Sequence, residues 1–252
     1  MSDVHAVLIN LLSNLVWFPV GVLAAWIGYF VGVRLPHRRI WRLADPSRLT
    51  VCASNSTNTN TGVYSRPSTG IGQVRALALA ISSLHAAYHK KLDIKHILLS
   101  TDHMQDRMEN DLLILGGPKT NRVAAELFQA IQYDQPVVQV KTVIYWRVKR
   151  RDGQWLDDGV LEYDGHAVNR KITQDYGLIV RMQSPFTSRD RTVILFSGSH
   201  TFGTLAAAKY FTESKDIRRL LKRKQQNLVA LVSAQIIDGY PTKLRLEQHY
   251  TW

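Results

Sequence analysis

A run of 28 residues without a charged side chain, from Ala6 to Val33, constrains this chain more than any other feature. As an α-helix the run would be about 42 Å long, and about 20 apolar residues suffice to cross the hydrocarbon core of a bilayer. The mean hydropathy of all 252 residues is −0.14, so the polar remainder of the chain conceals the run in the average. The pattern predicts a single transmembrane helix with residues 11–33 as its core.

A cleavable signal peptide is the main competing interpretation of this run. It requires basic residues before the apolar stretch and a small-x-small cleavage site after it. Only Asp3 and His5 precede the stretch, and Arg34 follows it directly. We therefore expect a retained membrane anchor, with a signal peptide and a buried helix of a soluble protein as the alternatives.

The basic residues that follow the run predict its orientation. They are Arg34, Arg38, Arg39 and Arg42. Because loops rich in Lys and Arg stay on the cytoplasmic side, we expect residues 45–252 to form a cytoplasmic domain at the cell inner membrane, preceded by a helix and basic flank in residues 1–44. The single cysteine, Cys52, agrees with a reducing compartment.

Gly28 and Gly32 form a small-xxx-small pair within the predicted span. Such a pair lets two membrane helices pack closely and predicts a homo-oligomer. The alternative is that these glycines have no packing role, because glycine is common in membrane helices.

The remainder of the chain alternates between apolar strands and amphipathic helices, with glycine at several crossing points. We predict strands in residues 49–53, 94–99, 111–115, 137–148, 160–167, 176–182, 192–196, 228–236 and 243–249. We predict helices in residues 70–88, 121–131, 202–211 and 216–225. The pattern favours an α/β fold, a Rossmann-like three-layer domain with an antiparallel hairpin insertion that turns at Asp152-Gly153. The Ser/Thr/Asn stretch 54–60 is predicted to be a loop.

Three glycine-bearing segments precede or open predicted helices, at residues 69–73, 116–121 and 197–204. The N-terminus of a helix offers free N–H groups and a positive dipole end to an anion. These segments predict a site for a nucleotide-type ligand, although none matches a dinucleotide or phosphate-loop fingerprint and helix capping alone is the alternative for each. The predicted ligand-binding residues are Gly70, Gly72, Gln73, Gly116, Gly117, Lys119, Thr120, Asn121, Gly198, Ser199, His200, Thr201, Gly203 and Thr204. The cofactor stays unknown.

Parts of the chain resemble known bacterial sequences. Asn14-Leu15-Val16-Trp17-Phe18 with the Arg34–Arg39 flank resembles the membrane anchors of bacterial defence and signalling effectors. The segments 64–73, 115–121, 175–179 and 197–204 resemble an uncharacterised group of bacterial Rossmann-like proteins, over most of residues 48–211. The resemblance implies a cytoplasmic sensor or effector module on a membrane tether, and it supplies no catalytic residues. Our hypothesis is that ligand binding changes the association of the domains in the setting of antiviral defence.

His200 is the best candidate for a catalytic residue, because histidine is the usual general acid or base near neutral pH. The alternative is a helix-start residue that bonds a nearby carbonyl. Asp102, His103 and Asp106 lack any recognised spacing of metal ligands, so we expect no metal site there. Cys52 is predicted to be a buried strand residue. A membrane-tethered hydrolase or transferase acting on a nucleotide is the enzymatic alternative.

The formal net charge of +12 is concentrated in three clusters. The first is the flank of the predicted span. The other two contain Arg147, Lys149, Arg150, Arg151, Arg218, Arg219, Lys222, Arg223 and Lys224. These two favour anionic lipid, nucleic acid or a protein partner, and lipid is the simplest partner for a tethered domain.

Overall fold

A computed structural model describes residues 2–60, 62, 65–131, 135–147, 155, 160–221 and 227–252. The helices are α1 (Ser2–Tyr29), a π-helical turn (Phe30–Arg34), α2 (Leu35–Trp41), α3 (Ile71–Tyr88), α4 (Arg122–Ile131), α5 (Thr201–Glu213) and α6 (Lys215–Leu220). Short 3₁₀ turns lie at Pro46–Arg48, Ile94–His96 and Gln105–Arg107. The strands are β1 (Thr50–Ala53), β2 (Thr57–Asn60), β3 (Ser65–Ser68), β4 (Ile97–Leu99), β5 (Leu112–Leu115), β6 (Val137–Val140), β7 (Val143–Trp146), β8 (Leu161–Tyr163), β9 (His166–Val168), β10 (Lys171–Gln183), β11 (Thr192–Gly198), β12 (Leu228–Ile237) and β13 (Tyr240–Thr251).

The main sheet is mixed and has the order β13-β12-β10-β11-β5-β1-β4, with β9 paired to β10. Strands β11, β5, β1 and β4 are parallel, whereas β10, β12 and β13 are antiparallel to their neighbours. Strand β5 reads Leu-Leu-Ile-Leu and is buried throughout, as a parallel strand covered on both faces must be. The structure therefore confirms that the protein is mixed α/β with a mixed sheet.

Side chains that alternate along the strands form two large apolar clusters, and a third, small cluster contains Ala206, Ala234 and Ile236. Leu113, Leu115 and Phe196 belong to the cluster that includes buried residues of α2, α3, α5 and α6. Leu112 and Ile114 belong to the other, with α4 and the small sheet β6-β7-β8. The sheet thus supports helices on one face and α4 with the small sheet on the other.

The apolar helix continues from α1 through the π-helical turn into α2, which is packed against the domain. Trp17 and Phe18 are 67% and 76% exposed, whereas Ile40 and Trp41 are fully buried. One helix among the described residues, spanning Trp17–Trp41, is long and apolar enough to cross a membrane by its length and composition.

Trp41 holds α2 in place. Its indole ring packs edge-on against Phe196 of β11 and Phe211 of α5, with centroids 6.4 and 5.3 Å away. Its indole N–H donates to Ser83 Oγ of α3 over 2.8 Å. Because the ring also adds a large buried area to the core, we regard this contact as the main attachment between α2 and the domain.

Helices α2 and α3 run in opposite directions. Arg34 Nε at the start of α2 donates to the carbonyl of Ala87 near the end of α3, and His37 Nδ1 lies 2.8 Å from Ser83 Oγ. The C-terminal end of α2 is satisfied by Arg181, which donates to the carbonyl of Arg39. The C-terminus of α3 therefore points toward the apolar helix.

Three sequence predictions were wrong in detail. The stretch 54–60 contains β2, which pairs with β3 in a hairpin, because backbone pairing does not require apolar side chains. Within the predicted strand 137–148, the described residues form two strands, β6 and β7, since the chain reverses at Lys141, whose φ is 56°. Residues 160–167 are likewise divided between β8 and β9, and the predicted turn at residues 152–153 lies outside the described residues.

We expect Trp41→Ala to lower the free energy of unfolding of the domain by about 3–5 kcal/mol, the usual cost of removing a fully buried aromatic ring. Chemical denaturation of the full chain in detergent, followed by near-ultraviolet circular dichroism, measures this change. Trp17→Ala removes an exposed ring and is the matched control. Equal stability of the two variants would show that α2 is not part of the folded core.

Candidate functional site

The parallel strands β1, β5 and β11 end at one edge of the sheet. Ala53 and Phe196 both lie opposite Leu115 in the strand register, so Ser54, Gly116 and Ser197 follow side by side. Strand β10 brings Asp175 to the same edge, because Gly177 lies opposite Gly198. We call this region the polar edge. It comprises Ser54, Gln73, Gly116, Gly117, Lys119, Gln139, Asp175, Ser197, Gly198, Ser199, His200 and Thr201.

The three predicted glycine segments do meet at the polar edge. The first opens α3, where Thr201 Oγ1 accepts from the backbone N–H of Gly72 over 3.0 Å and donates to Gln73 Oε1 over 3.1 Å. A side chain at Gly72 would collide with the backbone carbonyl of Thr201. Gly72 therefore permits close packing of α3 on α5, and Gly70 is similarly crowded by Gln73 and Thr201.

The second segment follows β5. Gly116 has a φ of +98°, which favours glycine, and a Cβ there would lie 2.8 Å from Ser54 Cβ. A Cβ at Gly117 would lie 2.7 Å from Ser197 Oγ and 2.9 Å from Gln139 Nε2. Ser197 in turn donates to Gln139 Oε1 over 2.6 Å. Protein atoms thus fill the space beside both glycines.

Asn121, the last residue of the second segment, caps α4. Its Oδ1 accepts from the backbone N–H groups of Val123 and Ala124, and its Nδ2 donates to the carbonyls of Cys52 and Leu115. This side chain ties the ends of two strands to a helix. Thr120 places its carbonyl against Asn55 N and Ser100 Oγ, whereas the side chain of Lys119 is exposed.

The third segment joins β11 to α5. Gly198 and Gly203 face each other, and a side chain on Gly203 would collide with the carbonyl of Tyr176. Thr204 is buried in the first turn of α5. Ser199 donates its backbone N–H to the Tyr176 carbonyl. The glycines of this segment allow α5 to start directly against β10.

Asp175 occupies the N-terminus of α5. Its carboxylate is fully buried and accepts from the backbone N–H groups of Tyr176, His200 and Gly203. A carboxylate is the kind of anion that a helix N-terminus attracts. The anion site that the sequence predicts at this helix is therefore taken by a side chain of the protein itself.

His200 lies beside Asp175, with 3.5 Å between Nδ1 and Oδ1. The Asp175 carboxylate raises the pKa of His200 above its ordinary value, although partial burial of the ring opposes the shift. The side chain is one-third exposed. His200 thus faces a buried carboxylate on one side and solvent on the other.

Three polar groups at the polar edge have no internal role in the part of the chain that the structure describes. Ser54 Oγ is fully buried, and Thr69 Oγ1, which adjoins the edge at the start of α3, is also shielded from solvent; neither has a hydrogen-bond partner there. The third group is the ammonium of Lys119, whose side chain is exposed. A buried hydroxyl without a partner costs about 1–3 kcal/mol, which makes Ser54 and Thr69 candidate ligand contacts beside the Lys119 ammonium.

Other candidate residues lie away from this edge. Asp111 precedes β5 and accepts from the backbone N–H groups of Asp45 and Thr192, at the opposite end of the strands. Cys52 is buried in β1, and burial raises the pKa of its thiol to about 12, which leaves it unreactive near neutral pH. Among the described residues, no group of three or more His, Cys, Asp or Glu side chains is placed to hold a metal ion.

The basic clusters are only partly engaged by the protein. Arg42 pairs with Asp190 over 3.2 Å, and Arg219 pairs with Asp216 over 3.4 Å. Arg147 donates to the carbonyl of Gln135. Arg38 and Arg39 are exposed. Nine cations were predicted in the segments around Arg147 and Arg218. Six of them lie outside the described residues: Lys149, Arg150, Arg151, Lys222, Arg223 and Lys224.

No protein-family model matches this chain, and no curated protein matches it. The site therefore rests on its own geometry. The predicted ligand-binding residues do not include four members of the polar edge: Ser54, Gln139, Asp175 and Ser197. Ser54 directly follows an apolar strand, and this position could have predicted that it lies at the carboxyl end of the sheet. Gln139 and Asp175 reach the edge only through contacts between distant parts of the chain.

We expect the contribution of His200 to stability to depend on pH. A raised pKa in the folded state stabilises the fold fully below the unfolded value near 6.5, and this contribution is lost as the pH rises through the folded pKa. Urea unfolding should therefore show a larger loss from His200→Gln at about pH 5.5 than at about pH 8.5.

The matched control repeats this substitution in an Asp175→Asn background. Removing the carboxylate charge should abolish most of the pH dependence, because Asp175 is the main cause of the shift. An equal loss at both pH values in the original background would contradict the pairing of His200 with Asp175.

Proposed function

We propose that this chain is a single-pass protein of the cell inner membrane whose cytoplasmic, Rossmann-like domain binds a nucleotide-type ligand at the polar edge. In this proposal the protein is a sensor or effector, with antiviral defence as the setting that its sequence resemblance suggests. The observation that carries the proposal is the uninterrupted passage of an exposed apolar helix into the buried core at Trp41.

The exposure of the apolar helix supports the membrane anchor. The exposed large apolar side chains of this helix are Leu15, Trp17, Phe18, Val20, Val22, Leu23, Trp26, Ile27, Tyr29, Val31 and Val33. A soluble protein rarely leaves so large a continuous apolar surface in water. The arginines that begin at Arg34 favour a cytoplasmic position for the domain.

The free polar groups of the polar edge support a phosphate-bearing ligand. The Lys119 ammonium and the Ser54 hydroxyl offer donors to phosphate or ribose oxygens, and His200 can add a third donor when it is protonated. The carboxyl ends of parallel strands are also where open α/β sheets bind their ligands. Since Asp175 already occupies the N-terminus of α5, we assign the anion to the side of the edge near Lys119.

Two helices connect the polar edge with the membrane helix, which supports a signalling role. Helix α3 begins near Gln73 at the edge, and its other end contacts α2 through Ser83 and Ala87. Helix α5 begins at Thr201, and its Phe211 packs against Trp41. A ligand that shifts the start of either helix would therefore act directly on the docked end of the membrane helix.

The pairing of His200 with Asp175 favours a nucleotide hydrolase or transferase as the second candidate function. A histidine oriented by a buried carboxylate can act as a general base. Loss of turnover in His200→Gln with ligand binding retained would select this candidate.

Charges placed in the apolar helix should prevent membrane insertion. Leu23→Arg/Ile27→Arg adds two cations on one helix face, at a cost of about 5 kcal/mol or more, so most of the full chain should become extractable with alkaline carbonate. Ile237→Arg, at an exposed apolar residue of the domain, is the matched control and should stay in the membrane pellet. Extraction of the unmodified protein by carbonate would contradict the anchor.

We expect Lys119→Ala to weaken nucleotide binding about 10- to 100-fold, the range for losing one charge-assisted contact. Isothermal titration of the full chain in nanodiscs against nucleoside mono-, di- and triphosphates and cyclic nucleotides measures the affinity. Lys95→Ala, an exposed lysine at the opposite end of the strands, is the control. Absence of heat with the whole panel, or an equal effect of both variants, would contradict the site.

A further inference from the structure

The C-terminal end of α3 lies where the apolar helix meets the domain. The Tyr29 ring, at the end of α1, has its centroid 6.0 Å from that of His89, which caps α3. Arg34 donates to the Ala87 carbonyl, and its guanidinium carbon lies 5.6 Å from the centre of the Phe30 ring. The end of α3 is therefore at the level at which the predicted span leaves the bilayer.

Positive side chains concentrate on this end of the domain. We call the group the membrane-end surface. It consists of the cations Arg34, Arg38, Lys90, Lys91 and Arg218 together with the imidazole rings of His85 and His89. Helix α3 contains no acidic residue. The acidic residues near this surface are each paired with a cation outside it: Asp93 with Lys95 over 3.0 Å, Asp45 with Arg48 over 3.7 Å, and Asp216 with Arg219 over 3.4 Å. The surface thus has a net positive charge.

Apolar groups are interleaved with these cations. Ile94 is 84% exposed, only three residues after Lys91. A shallow apolar depression beside Lys90 and Lys91 is lined by Pro46, Leu49, Leu84, Tyr88 and Leu92. Cations beside exposed apolar side chains are typical of surfaces that enter the interfacial region of a bilayer, where ammonium groups meet phosphates and apolar groups meet the acyl boundary.

The short, continuous connection between the apolar helix and the domain leaves little room for water between the domain and the bilayer. The buried Trp41 lies twelve positions after Tyr29, about 18 Å along a continuous helix, and the helices follow one another there without a flexible linker. Charges near a membrane act over roughly one Debye length, about 8 Å at physiological salt. The anchor therefore holds the membrane-end surface close to the lipid headgroups.

We propose that the membrane-end surface binds the headgroups of anionic phospholipids, so that the domain lies directly on the bilayer with its polar edge facing away from the membrane. This proposal rests on the proposed membrane anchor. It assigns Lys90 and Lys91, at the end of α3, to lipid binding and not to nucleic-acid binding. These two lysines are not among the cations predicted from the sequence to bind a partner.

An environment-sensitive fluorophore at Ile94→Cys tests the proposal in the full chain. The single native cysteine, Cys52, is buried with a raised thiol pKa and should stay unlabelled. We expect blue-shifted emission after reconstitution into phosphatidylcholine vesicles that contain phosphatidylserine, compared with phosphatidylcholine alone. Lys90→Ala/Lys91→Ala should lower the ratio of docked to undocked protein roughly 30-fold. This is the combined effect of two cations that each contribute about 1 kcal/mol of attraction to an anionic surface.

Lys171→Ala/Lys243→Ala is the matched control, since both lysines are exposed at the end of the sheet that is far from α2. This variant should dock like the parent. Identical emission in both vesicle types, with the protein still resistant to carbonate, would overturn lipid docking and leave the anchor intact. Displacement of the emission shift by short RNA would assign the surface to nucleic acid instead. Extraction by carbonate would instead reject the anchor itself.

Discussion

The burial of Trp41 between α3, α5 and β11 is the contact on which the arrangement of this protein depends. It turns the last residues of a long apolar helix into part of a folded core. The domain therefore has a defined orientation relative to that helix. The C-terminal end of α3 lies beside the helix, whereas the carboxyl ends of the parallel strands lie at the far end of α3.

The polar edge shows how glycine-rich loops can serve packing in place of a ligand. Gly72 and Gly203 bring backbones together, and Asp175 satisfies the N-terminus of α5 from within the protein. A bound anion would therefore find fewer free hydrogen-bond donors than the three glycine-bearing segments predict. The free groups lie near Lys119 and Ser54, which makes the proposed site narrow and places it beside the start of α3.

Much of the fold could be predicted, because periodicity and continuous apolar runs report burial. The strands β1, β5 and β11 and the helices α3, α4 and α5 lie within a few residues of their predicted positions. The hairpin β2–β3 has no apolar alternation and gave no signal. The roles of the glycines could not be predicted, since Gly72 contacts Thr201, which lies far away in the sequence. Likewise, no local pattern indicates that Asp175 caps a helix that begins 26 residues later.

The contacts of Trp41 imply that the apolar helix and the domain move as one rigid body. Pulsed electron paramagnetic resonance between nitroxides at Ile27→Cys and Lys243→Cys, in the full chain in nanodiscs, measures this directly. Cys52 is buried and should not react with the label. We predict a single narrow distribution of the distance between the two nitroxides, which broadens when Trp41 is replaced by alanine. A broad distribution in the parent protein would show that α2 is a flexible linker and would contradict the claim.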